Sequence, residues 1–397
     1  MSADGPPTPQ PPGRPDPATG APGQPVPAAH TSSPPSAAVR APAEEGKPRA
    51  EAGEPPAPMA PGPGRSRAAA LASQWGRRLA TANETWTLLA LIILMAYFSV
   101  AAPGKFLNLT NLGYIATNSA ALLVMAVGQT FVILTAGIDL SVGFVLVLSG
   151  VVAGEYYLHN GGTTAGWGVI VVGALAGLAT GCAWGAIQGF LVAKAKVPPL
   201  IATLGGLGAA EGISYLIAGG NDLRSVPQRL VNTVGFGGVG GIRWLIIISF
   251  AIAIVFGLIL AYTRFGRYTY AIGSNPEAAR RAGIGVDRHL IKVYALQGLL
   301  SGVAGVMSLA YFETTSIAGH PTDNLTVITA VVLGGASLFG GRGSMVGTVI
   351  GLFIPAMLAN GLQILEVNQY WQYAAIGMVL VAAVYLDQFR RRLRERT

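Results

Sequence analysis

Residues 112–158 read LGYIATNSAALLVMAVGQTFVILTAGIDLSVGFVLVLSGVVAGEYYL, with Asp139 and Glu155 as their only charged side chains. A helix crosses a bilayer with about 20 mostly apolar residues, and this stretch offers segments of that kind at 112–136 and 141–158. Between them, Ala136-Gly137-Ile138-Asp139-Leu140-Ser141-Val142-Gly143 sets an acid and a hydroxyl among glycines while the hydrophobicity continues. Two readings stay open. One is a helix broken at membrane depth, whose freed backbone is satisfied by protein or by water in a cavity; the other is a simple turn at the cytoplasmic surface.

The pattern repeats in both directions. Segments of similar length and apolarity lie at 86–102, 167–193, 198–219, 243–262, 290–312, 324–340, 345–365 and 370–387, which makes ten in all. The chain of 397 residues is 51% hydrophobic and only 11% charged, where soluble domains carry about 25% charge. The expected fold is therefore all-α, a polytopic membrane protein of about ten transmembrane helices with a disordered N-terminal tail.

Composition sets the boundaries. Residues 1–64 hold 19 of the 26 prolines and no apolar run able to form a core, so they read as a disordered Pro/Ala-rich cytoplasmic tail. Residues 65–85 form a basic juxtamembrane segment, 86–389 the transmembrane domain and 390–397 a basic cytoplasmic C-terminus. The first long apolar run follows Arg77 and Arg78, with no secretory h-region before it, and reads as a retained anchor.

The net charge of +8 first suggests nucleic acid, but Lys and Arg fall in short clusters between apolar segments and form no continuous face. With ten spans, eighteen cations collect on one side, including Lys194, Lys196, Arg264, Arg267, Arg280, Arg281, Arg342 and the run from Arg390 to Arg396. The other side has only Lys105, Arg224, Arg229 and Arg243. This asymmetry places both termini in the cytoplasm and removes the reason to expect a nucleic-acid partner. The partner it requires is the lipid bilayer.

Several functions are excluded or weakened. Cys182 is the single cysteine, so neither an intrachain disulfide nor a thiolate metal cluster can form. His30, His159, His289 and His320 are far apart in sequence, fall to tail or loops, and give little support to a metal. No G-x-x-x-x-G-K-[ST] sequence is present, so the chain binds no ATP in a P-loop, and nothing resembles a nucleophile elbow or catalytic carboxylate pair.

The functional signals are of three kinds. Gly173, Gly177, Gly181, Gly185 and Gly189 recur every four residues, a smooth helix stripe suited to close packing inside the chain or at a subunit interface. The loop 263–289 contains Asn275-Pro276-Glu277-Ala278-Ala279-Arg280-Arg281 before Gly283. Asn275 as N-cap, Pro276 in the first turn, Glu277 at the positive end and the arginines at the negative end predict a short cytoplasmic helix. Such a helix is marginal alone; it packs on a soluble partner or on its own bundle. Polar residues inside spans are the third signal: Asn118, Gln129, Asp139, Ser141, Gln188, Glu211, Gln297, Asn360 and Gln363 are candidates for a hydroxyl-friendly path, or interhelical glue. Glu211 is expected to face the bundle interior, since a charge in lipid costs about 2.5–3.5 kcal/mol.

Across about residues 105–390 the chain resembles the ribose-type permeases of ATP-binding-cassette importers for monosaccharides. The resemblance rests on Val124-Met125-Ala126-Val127-Gly128, on Gly137-Ile138-Asp139-Leu140-Ser141-Val142-Gly143, and on Gly266-Arg267 followed by Ala271-Ile272-Gly273, Asn275 and Glu277-Ala278-Ala279. Val331-Val332-Leu333-Gly334-Gly335, Gly340-Gly341, Gly347-Thr348 and Asn360-Gly361-Leu362 follow in the same order. One departure is Asp323-Asn324-Leu325-Thr326, where such permeases often carry a Tyr-Glu-Leu-Asp-like run.

The resemblance implies a bacterial cytoplasmic-membrane importer subunit that is not itself an enzyme, passing a monosaccharide or similar small polyol. It implies a second permease chain as a homodimer partner, ABC ATPase subunits carrying ATP and Mg, and an extracytoplasmic sugar-binding protein, with no cofactor in this chain. Asn275 to Arg281 would then be the coupling helix. An ion-coupled secondary transporter and a membrane scaffold or receptor built around the tail are the competing readings.

Overall fold

The computed structural model describes residues 83–394 apart from 316 and 321. The tail 1–64 and most of the basic juxtamembrane segment lie outside the described residues. Helices account for nearly all the rest: α1 Asn83–Ala101, α2 Leu109–Asn118, α3 Ala120–Leu134, α4 Val142–His159, α5 Trp167–Ala193, α6 Pro199–Ile217 and α7 Trp244–Tyr262. They continue with α8 Arg264–Ser274, α9 Pro276–Arg281, α10 Val286–Phe312, α11 Asp323–Leu333, α12 Met345–Ile364 and α13 Gln369–Arg394. Two-residue strands, β1 Gly238–Val239 and β2 Ile242–Arg243, pair antiparallel and are the only sheet among the described residues.

Six helices, α4, α5, α6, α7, α10 and α12, are long and apolar enough to cross a membrane, and α2 with α3, bent by 49°, makes a seventh. The chain is thus an all-α polytopic membrane protein. Of the expected span at 324–340 only the first part is helical. Its helix, α11, has 11 residues, roughly 16 Å at 1.5 Å per residue, about half the hydrocarbon thickness. Gly335 at φ +90° turns the chain out of the helix, and residues 335–344 run irregularly although the hydrophobic run continues through Leu338 and Phe339.

Local chemistry fixes where helices begin. Asn108 Oδ1 accepts from the Asn111 amide at the start of α2, Asn275 Oδ1 from Ala278 before α9, and Ser344 Oγ from Gly347 before α12. Each side-chain acceptor satisfies an amide that has no carbonyl inside the helix. Inside the bundle α10 is the most enclosed spanning helix, and α6 and α7 are the most exposed. Val124 to Leu134 of α3 is almost wholly buried, and the largest core cluster joins it to Val293, Leu300 and Ala304 of α10 and to Val327 to Val332 of α11.

Candidate functional site

The interruption flagged at 136–143 meets a second one, the irregular segment 335–344 that follows α11. The Gly341 amide donates to the Leu134 carbonyl over 2.9 Å, and the Tyr270 hydroxyl of α8 donates to the Gly343 carbonyl over 2.8 Å. Gly273, at the end of α8, lies against both: a methyl group there would overlap the Leu134 carbonyl and sit 2.6 Å from the Gly341 nitrogen. Gly340 and Gly341 have φ of +82° and +71°, which only glycine adopts without strain. The segment 134–141, the segment 335–344 and the end of α8 thus share one contact.

Directly after that contact comes α9. Pro276 opens it, Ala279 is its one buried residue, packed with Ile272 and Val286, and Gly283 at φ +81° ends it. Asn275, Pro276, Glu277, Ala278, Arg280 and Arg281 are exposed. Arg280 bonds Glu277 over 3.4 Å and Asp287 of α10 over 3.0 Å. Asp287 also holds Lys194 at 3.5 Å and Lys196 at 3.3 Å, tying α9 to the turn between α5 and α6. Asp287 carries no signal in the sequence, because two of its three partners, Lys194 and Lys196, come from the distant turn between α5 and α6.

Three path candidates come together. Asp139 Oδ1 accepts from the Ser141 amide and hydroxyl over 2.8 and 2.6 Å, and Gln188 of α5 donates to the same hydroxyl over 2.8 Å. Thr203 of α6 donates to the Ile138 carbonyl over 3.3 Å. The carboxylate orders the start of α4, and the amide binds it to α5. Gln129 and Gln297 are fully buried, and their side-chain amides have no hydrogen-bond partner among the described residues; Gln297 Oε1 lies against Gly128.

The other candidates lie elsewhere. Asn360 and Asn111 exchange hydrogen bonds of 2.9 and 3.0 Å between α12 and α2. Asn118 turns back on the Tyr114 carbonyl, and Gln363 is exposed. Glu211, expected to face the interior, is only half-buried, with Gly208, Gly212 and Tyr215 exposed around it. The glycine row of α5 is spent on neighbours: Gly173 lies against Tyr157, Gly177 against the Ser149 carbonyl, Gly181 and Gly185 against α10 backbone at Gly298 and Tyr294, and Gly189 against Ile291.

The histidines are expected in the tail or in loops, and His289 departs from that. His289 is buried in the first turn of α10, 2.9 Å from Thr269 Oγ1. His320 lies in the loop before α11, buried between Ser308 Oγ at 3.3 Å and Asp323 Oδ2 at 2.7 Å. His320-x-x-Asp323 was the one available signal for this cluster; Ser308 could not be paired with it from sequence. Among the described residues no group of three or more His, Cys, Asp or Glu could hold a metal ion.

Long apolar helices, two interruptions joined in the bundle and an exposed capped helix beside them define a multi-pass membrane transport subunit. Residues 111–384 match the family described as branched-chain amino acid transport system / permease component, and the chain belongs to that family of permeases. The ribose import permease protein of Escherichia coli K12 is 37% identical over 310 residues, 77% of this chain and 93% of that protein. The fructose import permease protein of Rhizobium meliloti is 34% identical over 313 residues, 77% of this chain and 85% of that one. The D-allose transport system permease protein of E. coli K12 is 35% identical over 303 residues, 76% and 90% of the two chains. The chain is accordingly a permease component and not an enzyme.

Proposed function

We propose that the chain forms the transmembrane path of an ATP-binding-cassette importer for a monosaccharide or similar small polyol. The observation that carries this reading is the contact of Gly273 with both interruptions, because it gives the exposed α9 a mechanical route into the bundle. The family description mentions amino acids, whereas the relatives above are named for sugars. Hydroxyl and amide groups such as Ser141 and Gln188 both donate and accept, which suits a hydroxyl-rich solute.

In this reading the chain makes ten crossings with both termini cytoplasmic, α11 and its loop counting as one. The domains run 1–64, 65–85, 86–389 and 390–397 as read from the sequence. A second copy of the chain completes the path, an extracytoplasmic binding protein delivers the sugar, and ATPase subunits holding ATP and Mg dock on Asn275 to Arg281. Closure of those subunits displaces α9; Asp287 and Gly273 pass the displacement to α10 and to both interruptions, and the path switches between inward- and outward-open arrangements.

The test is a pull-down of the tagged full chain in mild detergent. Recovery of a P-loop ATPase and a sugar-binding protein is the expected outcome. Reproducible absence of both, with the chain intact and monodisperse, would favour an ion-coupled transporter instead.

A further inference from the structure

Where α4 and α11 begin, the bundle holds a polar cluster that the transport reading has not used. Helix α10 runs 27 residues, from Val286 to Phe312. Gly305 of α10 packs on the Leu146 carbonyl, and a methyl group on Gly150 would lie 3.7 Å from the Leu309 side chain, so α4 starts about one turn nearer the middle of α10. The start of α11 is at the same place: Asn324 Nδ2 donates to the Leu140 carbonyl over 3.1 Å. A methyl group on Gly143 would lie 3.5 Å from the His320 carbonyl and 3.7 Å from Asp323 Cβ. Two helix N-termini therefore converge beside the second half of α10, where Ser308, the partner of His320, lies about one turn before the Phe312 end.

We propose that His320, Asp323 and Asn324 form a contact site for a neutral polyhydroxylated solute in the transport path. This rests on the importer reading and adds to it the residues that touch the solute. The side chains are set for the task. His320 is oriented from both ring nitrogens, by Ser308 and by Asp323. Asp323 is about a quarter exposed, at 23% of its side chain, and its Oδ1 has no hydrogen-bond partner among the described residues. An acceptor-only carboxylate with one oxygen fixed by His320 and the other free takes hydrogen bonds from adjacent sugar hydroxyls. Asn324 Nδ2 spends one hydrogen on Leu140 and keeps a second.

A serine–histidine–aspartate chain is also the geometry of a hydrolase. Ser308, however, lies inside α10, where backbone amides are committed to helix bonds and offer no oxyanion hole. The chain positions a ring and a carboxylate; it does not activate a nucleophile.

The experiment uses the complete transporter, with Cys182→Ala removing the single native thiol, and measures uptake of labelled D-ribose, D-fructose and D-allose. Asp323→Asn lowers maximal uptake by about tenfold, the effect of weakening one charge-assisted hydrogen bond. The half-saturation concentration, set by the binding protein, is unchanged. Asn324→Cys is labelled by a membrane-impermeant methanethiosulfonate, and the transported sugar slows that labelling. Wild-type uptake by Asp323→Asn, or a transporting Asn324→Cys protein that never labels or labels equally fast with sugar present, overturns the proposal. If Asp323→Asn fails to accumulate, the labelling of Asn324→Cys alone decides. A wild-type transporter that takes up none of the three sugars and recovers neither an ATPase nor a sugar-binding protein removes the importer reading and this site with it.

Discussion

Helices α5 and α10 meet side by side, whereas the interruptions beside α4 and α11 meet the rest of the bundle through a few local contacts. Along the first seam, Gly181, Gly185 and Gly189 bring α5 against the backbone of Gly298, Tyr294 and Ile291. Nothing there can turn or shorten without separating main chains. At the second region, backbone contact is confined to a few points around Gly273, Gly340 and Gly341, and single hydrogen bonds add to it: Gly341 to Leu134, Tyr270 to Gly343, Gln188 to Ser141. The difference separates a fixed spine, held by many weak contacts over its length, from a joint in which a small number of polar contacts can exchange.

Substitutions can break or sharpen that contrast. The largest effect is expected for Gly185→Leu in the spine, whose side chain would overlap the Tyr294 carbonyl. The loss should reach or exceed the upper end of the roughly 1–3 kcal/mol that overpacking costs, measured as lost monodisperse protein and a lowered melting temperature. Gly273→Ala at the joint adds only a methyl, yet it collides with Leu134 and Gly341 backbone; the expected result is a folded protein, destabilised by about 1–3 kcal/mol, with uptake lost. Equal survival of Gly185→Leu would show that the spine is not fixed.

Ser141→Ala should cost about 1–2 kcal/mol, since it removes the hydrogen-bonding hydroxyl from Asp139 and Gln188 in a buried site; Gln188→Ala in the same background should add less than it does alone, as a double-mutant cycle would read. The smallest stability change belongs to Glu277→Arg. Glu277 is exposed and its bond to Arg280 is 3.4 Å long, so the melting temperature should hold within the range of surface ion pairs, under about 1 kcal/mol. ATP-coupled uptake should nevertheless fall. Normal coupled uptake by this variant would detach α9 from the joint.

What the sequence disclosed follows the range of each interaction. The cap of α9 was legible because Asn275, Pro276, Glu277 and Gly283 act within one short segment. The family signature was legible for the same reason, being made of contiguous runs. The helix at 324–340 was overestimated because hydropathy weighs side chains and not the path of the backbone, and Gly334-Gly335 redirects that path in an apolar setting. Glu211 was expected inside because the cost of burial in lipid was weighed without knowing that α6 lies at the edge of the bundle. Asp287 and the His320–Asp323 pair stayed hidden because their partners lie on other elements: Lys194 and Lys196 for one, Ser308 for the other.

The contact at Gly273 carries a consequence for how such a protein can change over generations. Leu134, Gly273 and Gly341 belong to segments well separated along the chain, and each backbone blocks the addition of even one carbon to the glycine. A lineage cannot adjust the linkage by small steps at that position; larger side chains there require simultaneous retreat of two other segments. Variation in what is carried, and how fast, is therefore channelled to surrounding positions, while the linkage itself is inherited as one indivisible unit.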